Sequence, residues 1–202
     1  ISNQPLDGRL LLLLSKSTTG EPRFQISDDE ATQQVFGMDI DQWKPGTKKQ
    51  FDVSAYGYPV ETIKQITSGN YRVQVVLHIY ETFKRKDGNI VKLPMDRGEG
   101  QHWNIAPGNL YSTTQDLKYT PETSFRLMLN LDQKIPPIKE PEDSKYVKHI
   151  KIQSKLLTEF WGRPMYLGAH ILLPEGWETH LNVKYPLAIY HGHFPDDFGG
   201  WR

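Results

Sequence analysis

A mainly β protein is predicted by this sequence, and three observations carry the prediction. Aromatic residues are plentiful (10 Tyr, 8 Phe, 5 Trp), and 16 Gly and 14 Pro supply turn positions; that mix favours pleated strands joined by tight turns. Residues 71–83 alternate strictly, with Tyr71, Val73, Val75, Leu77 and Ile79 on one face and Arg72, Gln74, His78 and Tyr80 on the other. Strand-like runs recur about every eight to twelve residues with turn signals between them, the spacing of a β-sandwich.

The elements follow in order. Leu10–Ser15 is a buried strand, Arg23–Ile26 alternates, and Ser27-Asp28-Asp29-Glu30 makes a solvated turn. Gln33–Ile40 is the next strand, and Trp43-Lys44-Pro45-Gly46 is a turn in which Pro presets φ and Gly supplies a positive one. Lys49–Val53 reads as a short strand, and Val60, Ile63 and Ile66 recur at helical spacing. Ahead of the 71–83 strand, Ser68-Gly69-Asn70-Tyr71 is similar to the tyrosine corner of immunoglobulin-like sandwiches, where the Tyr hydroxyl bonds back to preceding backbone. Lys86-Asp87-Gly88-Asn89 is a hairpin turn whose second strand is Ile90–Leu93. The run from Met95 to Tyr111 has no period, which marks a functional loop or a packing segment anchored by Trp103. Leu117–Tyr119 and Ser124–Leu131 are further strands, completing an N-terminal immunoglobulin-like β-sandwich over residues 1–134.

Composition excludes several function classes. Lys plus Arg equals Asp plus Glu at 24 each, so the basic excess of a nucleic-acid surface is missing. With no cysteine, disulfides, thiolate metal sites and Cys nucleophiles fall away. The longest apolar run, Leu10–Leu14, is far short of the roughly 20 residues that span a bilayer, so no membrane span is expected. The first residue is Ile rather than Met, which fits a removed leader and a periplasmic or secreted protein, with a cytoplasmic location as the alternative.

At Ile135–Asp143 the composition turns proline-rich and charged, as in a semi-rigid linker, here bounded at 135–145. Beyond it, residues 146–202 carry three strand candidates, Tyr146–Leu156, Pro164–Leu173 and Leu187–Tyr190. The second ends in Leu172-Leu173-Pro174-Glu175-Gly176-Trp177. A variable loop follows, then Tyr185-Pro186, the apolar run, and His191-Gly192. In this order the pieces resemble the opening of an α/β-hydrolase domain of the esterase-D/enterochelin-esterase type, over about a quarter of the chain. Several such esterases also carry an N-terminal sandwich.

The resemblance implies that the loop after the third strand donates backbone N–H groups to an oxyanion hole. By position those donors are His193 or Phe194, with Gly192 permitting the sharp turn. Acyl transfer builds negative charge on the carbonyl oxygen, which is why such donors are needed. The G-x-S-x-G elbow of that family is missing from these residues. The order of elements therefore puts nucleophile, acid and His beyond Arg202. Taken alone the chain is expected to be inactive, needing the C-terminal part of the same polypeptide and a small-molecule ester, and no cofactor.

Rival readings attach to the same residues. His191 and His193 share a face at i, i+2, a geometry that grips zinc, but Pro195 breaks the H-x-H-x-D-H pattern and no third ligand has diagnostic spacing. A metal is therefore not expected. Trp103 and His191 are candidate substrate-binding residues, with Glu99 and His102 beside Trp103 in a lid-like loop. Ser112 and Ser154 lack any nucleophile context. A different class is a non-catalytic carbohydrate- or protein-binding sandwich, for which Trp43, Tyr56 and Tyr58 are the stacking candidates.

Overall fold

The computed structural model describes residues 2–122 and 126–191. Its organising strand is the one that the alternation marks: β4 runs from Gly69 to Lys84. Before it come β1 (Leu6–Ser15), β2 (Gln34–Trp43) and β3 (Tyr56–Tyr58). After it come β5 (Ile90–Pro94), β6 (Leu110–Tyr111), β7 (Gln115–Tyr119) and β8 (Gln133–Lys134). These eight form one large sheet in the order β3-β2-β1-β4-β6-β8, with β5 and β7 also pairing with β4. The protein is mainly β, and the sheet is antiparallel.

The chain divides into two units. The first takes residues up to Thr82 and Lys92–Pro137; the second takes Phe83–Val91 and the residues from Ile138 onward.

In the first unit, one sheet face carries Leu14, Phe36, Tyr71 and Val73 in a cluster with Ala55 and Ile66, and Leu10, Ile40 and Leu77 in a second cluster with Leu110. Leu13, Gln74 and Val76, on the opposite face, are also fully buried. Both faces of β1 and β4 are therefore covered over this stretch, which explains the unbroken Leu10–Leu14 run. Gln74 is a polar residue in that core, and its amide is fully used. It accepts from Arg23 N at 3.1 Å and donates to Glu21 Oε2 at 2.7 Å and to Ser112 O at 3.0 Å. The Tyr71 hydroxyl donates to the Thr67 carbonyl at 2.9 Å. Gly8 has φ +154°, and a Cβ there would overlap the carbonyl oxygen of His78 across the ladder, so only glycine fits.

Several expected elements differ in the structure. The Arg23–Ile26 alternation is a 3-10 turn over Pro22–Phe24, because Pro at its first position presets helical φ. The helical spacing at 60–66 yields one 3-10 turn, Ile63–Gln65, closed by a capping box between Thr62 and Gln65. Lys49–Val53 forms no strand, while β3 forms three residues later. Residues 126–131 likewise form no strand, though Leu127, Leu129 and Leu131 still alternate into the core; residues 124 and 125 lie outside the described residues.

The second unit holds an antiparallel hairpin of β9 (Val147–Gln153) and β10 (Tyr166–Leu172), with a helix, α1 (Lys155–Trp161), in the connection. The strand expected over Tyr146–Leu156 stops short because Ser154 caps α1, its hydroxyl accepting from Leu157 N at 3.3 Å. Gly162 ends the helix in the left-handed region, φ +65°. The helix packs on the β4–β5 turn: Phe83 meets Trp161 edge-on at 5.4 Å, and Lys86 N donates to Phe160 O at 2.8 Å.

Candidate functional site

The Leu172–Trp177 segment lies at the end of β10. Leu173 N donates to Tyr146 O at 2.7 Å, extending the hairpin by one bond. The Leu173–Trp177 turn closes with Trp177 N donating to Pro174 O at 3.3 Å, and Gly176 sits at φ +76°. The Gly176 carbonyl then gathers Thr179 N and His180 N, with the His180 Nδ1 at 2.8 Å. The loop after β10 is thus ordered by local hydrogen bonds around one carbonyl.

Downstream, the expected third strand, Leu187–Tyr190, is not formed. A strand exists through its ladder, and these residues have no ladder partner among the described residues. Leu187 is 84 % exposed and Ile189 82 %. His191 is the last described residue and is exposed. Gly192, His193 and Phe194, the expected oxyanion-hole residues, lie outside the described residues, as does the second His of the zinc alternative.

Trp103 belongs to the first unit and is half-buried. Its carbonyl accepts from Asn109 Nδ2 at 2.8 Å, and Asn109 Oδ1 in turn accepts from Ile79 N at 2.9 Å. A buried asparagine thereby ties the aperiodic loop to β4. Glu99 is buried, its carboxylate accepting Arg97 N at 2.7 Å, whereas His102 is exposed. Ser112 is buried, and its hydroxyl oxygen accepts from Val75 N at 3.1 Å.

In the second unit β9 and β10 bring His149 and His170 into direct register, their rings edge-to-face at 4.6 Å. His149 Nδ1 lies 3.1 Å from Asp143 Oδ1. The backbone N–H of His149, donating to that carboxylate, holds the Asp143 pKa below its usual value although burial pulls the other way. No group of three or more His, Asp or Glu suited to a metal ion occurs among the described residues.

The constellation that sequence reasoning missed lies on the first unit's sheet, on the face away from Phe36. Register alone builds it. Arg9 is directly opposite Asp39 on β2 and opposite His78 on β4. Arg9 Nη1 donates to Asp39 Oδ1 at 2.7 Å, and His78 meets Tyr80 edge-on at 5.4 Å. One row along, Tyr56, Gly37 and Leu11 are in register, and Tyr58 stands opposite Val35. Gly57, between the tyrosines, backs onto the Phe36 ring, which leaves both tyrosines on the outer face. A Cβ at Gly37 would come within 2.7–2.9 Å of the Arg9 guanidinium, so the missing side chain is what lets Arg9 lie over the strand. Burial lowers the His78 pKa. Burial also raises that of Tyr80, with Arg9 opposing and Asp39 adding to the shift. Arg9, Asp39 and His78 are some thirty or more residues apart in sequence, and no spacing signal links them.

No helix among the described residues is long and apolar enough to cross a membrane. Compared with protein-family models, curated proteins and solved structures, the chain matches none of them.

Proposed function

We propose that this chain is the N-terminal portion of an exported serine esterase of the α/β-hydrolase fold, supplying an accessory immunoglobulin-like sandwich and one side of the oxyanion hole. The observation that carries the proposal is the second unit's hairpin. β10 runs antiparallel to β9 into the Leu172–Trp177 turn, and Tyr185-Pro186 and the Leu187–Tyr190 run follow in the order of a hydrolase sheet. Ile150, Ile152, Leu167 and Ala169 share one face of this hairpin and are all exposed. An apolar strand face of this kind is what the remaining strands and helices of a doubly covered sheet would bury. The Tyr71–Thr67 hydrogen bond supports the immunoglobulin-like assignment of the first unit.

In this mechanism a serine from further along the polypeptide attacks the ester carbonyl, and the backbone N–H of His193 or Phe194 stabilises the developing oxyanion. The donor is worth about 10²–10³ in kcat where such groups have been removed. Gly192 permits the sharp turn that this loop needs.

The test is hydrolysis of 4-nitrophenyl acetate and labelling by a fluorophosphonate, comparing the gene's complete product with residues 1–202. Turnover and labelling are expected in the complete product and in neither assay for residues 1–202. A complete product that neither turns over the ester nor takes the label overturns the proposal.

A further inference from the structure

We infer that the outer face of the first unit's sheet, centred on Tyr56, Tyr58, Arg9 and Asp39, is a binding site for a neutral polysaccharide. This assignment is independent of the esterase proposal, since it uses no residue of the second unit.

Three features of the face point to sugar. Two tyrosine rings stand on one side of β3, 64 % and 44 % exposed. Two residues of strand separate them, about 6.5–7 Å. A phenol ring offers a flat apolar surface to the C–H face of a pyranose and a hydroxyl to its rim. Next to them lies a guanidinium–carboxylate pair held in a fixed orientation by a 2.7 Å hydrogen bond. Asp39 is 82 % exposed and Arg9 38 %, so both heads reach solvent. A guanidinium has five N–H donors and a carboxylate about four lone pairs; vicinal sugar hydroxyls, each both donor and acceptor, match such a planar fork. Finally, Gly37 lets the Arg9 guanidinium lie flat over the strand between Tyr56 and Leu11, which brings the fork into the row of Tyr56 itself.

Charge decides the class of sugar. Arg9 is neutralised by Asp39, and Lys92 is shared between Asp7, at 3.1 Å, and Asp41. No cationic excess remains to hold a uronate, sulfate or phosphate polymer. A protein partner fits the face less well, because protein interfaces are built around a desolvated apolar centre. The apolar side chains in these two rows besides the tyrosines are Leu11 and Val35, both half-buried, and Leu13 and Val76, both fully buried, so none is left exposed to form such a centre. β3 is also the end strand of the sheet order, so a polymer laid along it meets no neighbouring strand.

The experiment is affinity electrophoresis of residues 1–202 through gels containing arabinoxylan, glucomannan, mixed-linkage β-glucan or starch, with polygalacturonate as the anionic comparator. At least one neutral polymer is expected to retard the chain, and polygalacturonate is not. The double variant Tyr56→Ala/Tyr58→Ala should weaken retardation at least tenfold, and Arg9→Lys, which keeps the charge and loses the fork, several-fold. Tyr185→Ala, an exposed tyrosine of the second unit, should leave it unchanged, with circular dichroism confirming that each variant is folded. Free passage through all four neutral polymers overturns the inference. So does retardation that survives the double substitution, and so does a preference for polygalacturonate. Self-association that is abolished by Tyr56→Ala, with no retardation by any polymer, would reassign the face to protein docking.

Discussion

The two units of this chain are made of similar sequence material and end in different states of burial. Among the described residues, every buried hydrophobic side chain except Phe83 belongs to the first unit. The second carries Ile152 at 56 %, Leu167 at 54 %, Leu181 at 80 % and Leu187 at 84 % exposure. Alternation is present in both, so it is not what separates them. The first unit has neighbours for each strand: β1 lies between β2 and β4, and the loops around Pro22 and Ala106 add buried residues of their own. Among its described residues the second has the β9–β10 ladder, the end of the β4–β5 hairpin and a seven-residue helix, an assembly that is marginal in water. Full burial of a Leu or Ile side chain is worth about 1.5–3 kcal/mol. In the exposed run from Leu181 to Tyr190 that stabilisation is not realised.

The largest expected effect tests this contrast directly. Phe36 is fully buried between β1 and β3, and Phe36→Ala should cost about 3–5 kcal/mol in a urea titration. Leu187→Ala, the same kind of truncation at an exposed site, should stay within about 0.5 kcal/mol. Comparable losses at the two positions would break the comparison. In the complete product of the gene, a large loss at Leu187 would support the hydrolase sheet proposed above.

A smaller effect is expected at the corner. Tyr71→Phe removes the hydroxyl that donates to Thr67 O while leaving the ring in its cluster. The loss should be about 1–1.5 kcal/mol, seen as a shifted midpoint with unchanged slope. No change would mean that the corner is held by ring packing alone.

These two positions also show what was legible in the sequence. β4 and its corner could be read because period-two alternation and a Gly-Asn-Tyr lead-in are local signals. β3 could not, since Tyr56-Gly57-Tyr58 is a strand only because Phe36 requires a glycine opposite it. α1 carried signals at both ends, Ser154 and Gly162, but seven residues give too little period to outweigh the strand pattern that runs into it. The Arg9–Asp39–His78 row was illegible in principle, because it arises from cross-strand register. Conversely, Leu187–Tyr190 has the composition of a strand and none of the pairing, which no local pattern reports.

Returning to the second unit, α1 is capped by Ser154 at its start and packs through Trp161 on Phe83. Ser154→Ala removes the acceptor for Leu157 N and should cost about 1 kcal/mol, felt locally. With two units in the chain, a single unfolding midpoint would blur this, so the readout is hydrogen exchange at Leu157 and Thr158. Exchange about fivefold faster is expected there, with the β4 amides unaffected. Acceleration spreading to β4 would mean that the two units unfold as one.

The smallest effect concerns acid. His78 is kept below its usual value of 6.5 by burial, so the folded first unit resists its protonation. The unfolded chain takes up that proton first, so the contribution of neutral His78 is fully present above about pH 6.5 and is lost as pH falls towards the lower folded value. Asp143 in the second unit is also shifted down, from 3.8, by the His149 amide. Its contribution holds above pH 3.8 and is lost below it, well under the His78 window. Urea midpoints at pH 7.5 and 5.5 should therefore differ less in His78→Gln than in the parent chain, because the amide is polar and does not titrate in this range. Asp143→Asn should leave that difference untouched, because the carboxylate's contribution is constant between pH 7.5 and 5.5; exchange at His149 should be faster than in the parent chain above pH 4 and converge with it at lower pH. A pH dependence between 7.5 and 5.5 that survives His78→Gln intact would show that burial of this imidazole on the outer face contributes nothing to stability. It would also show that the His78 end of the Arg9 row is open to solvent.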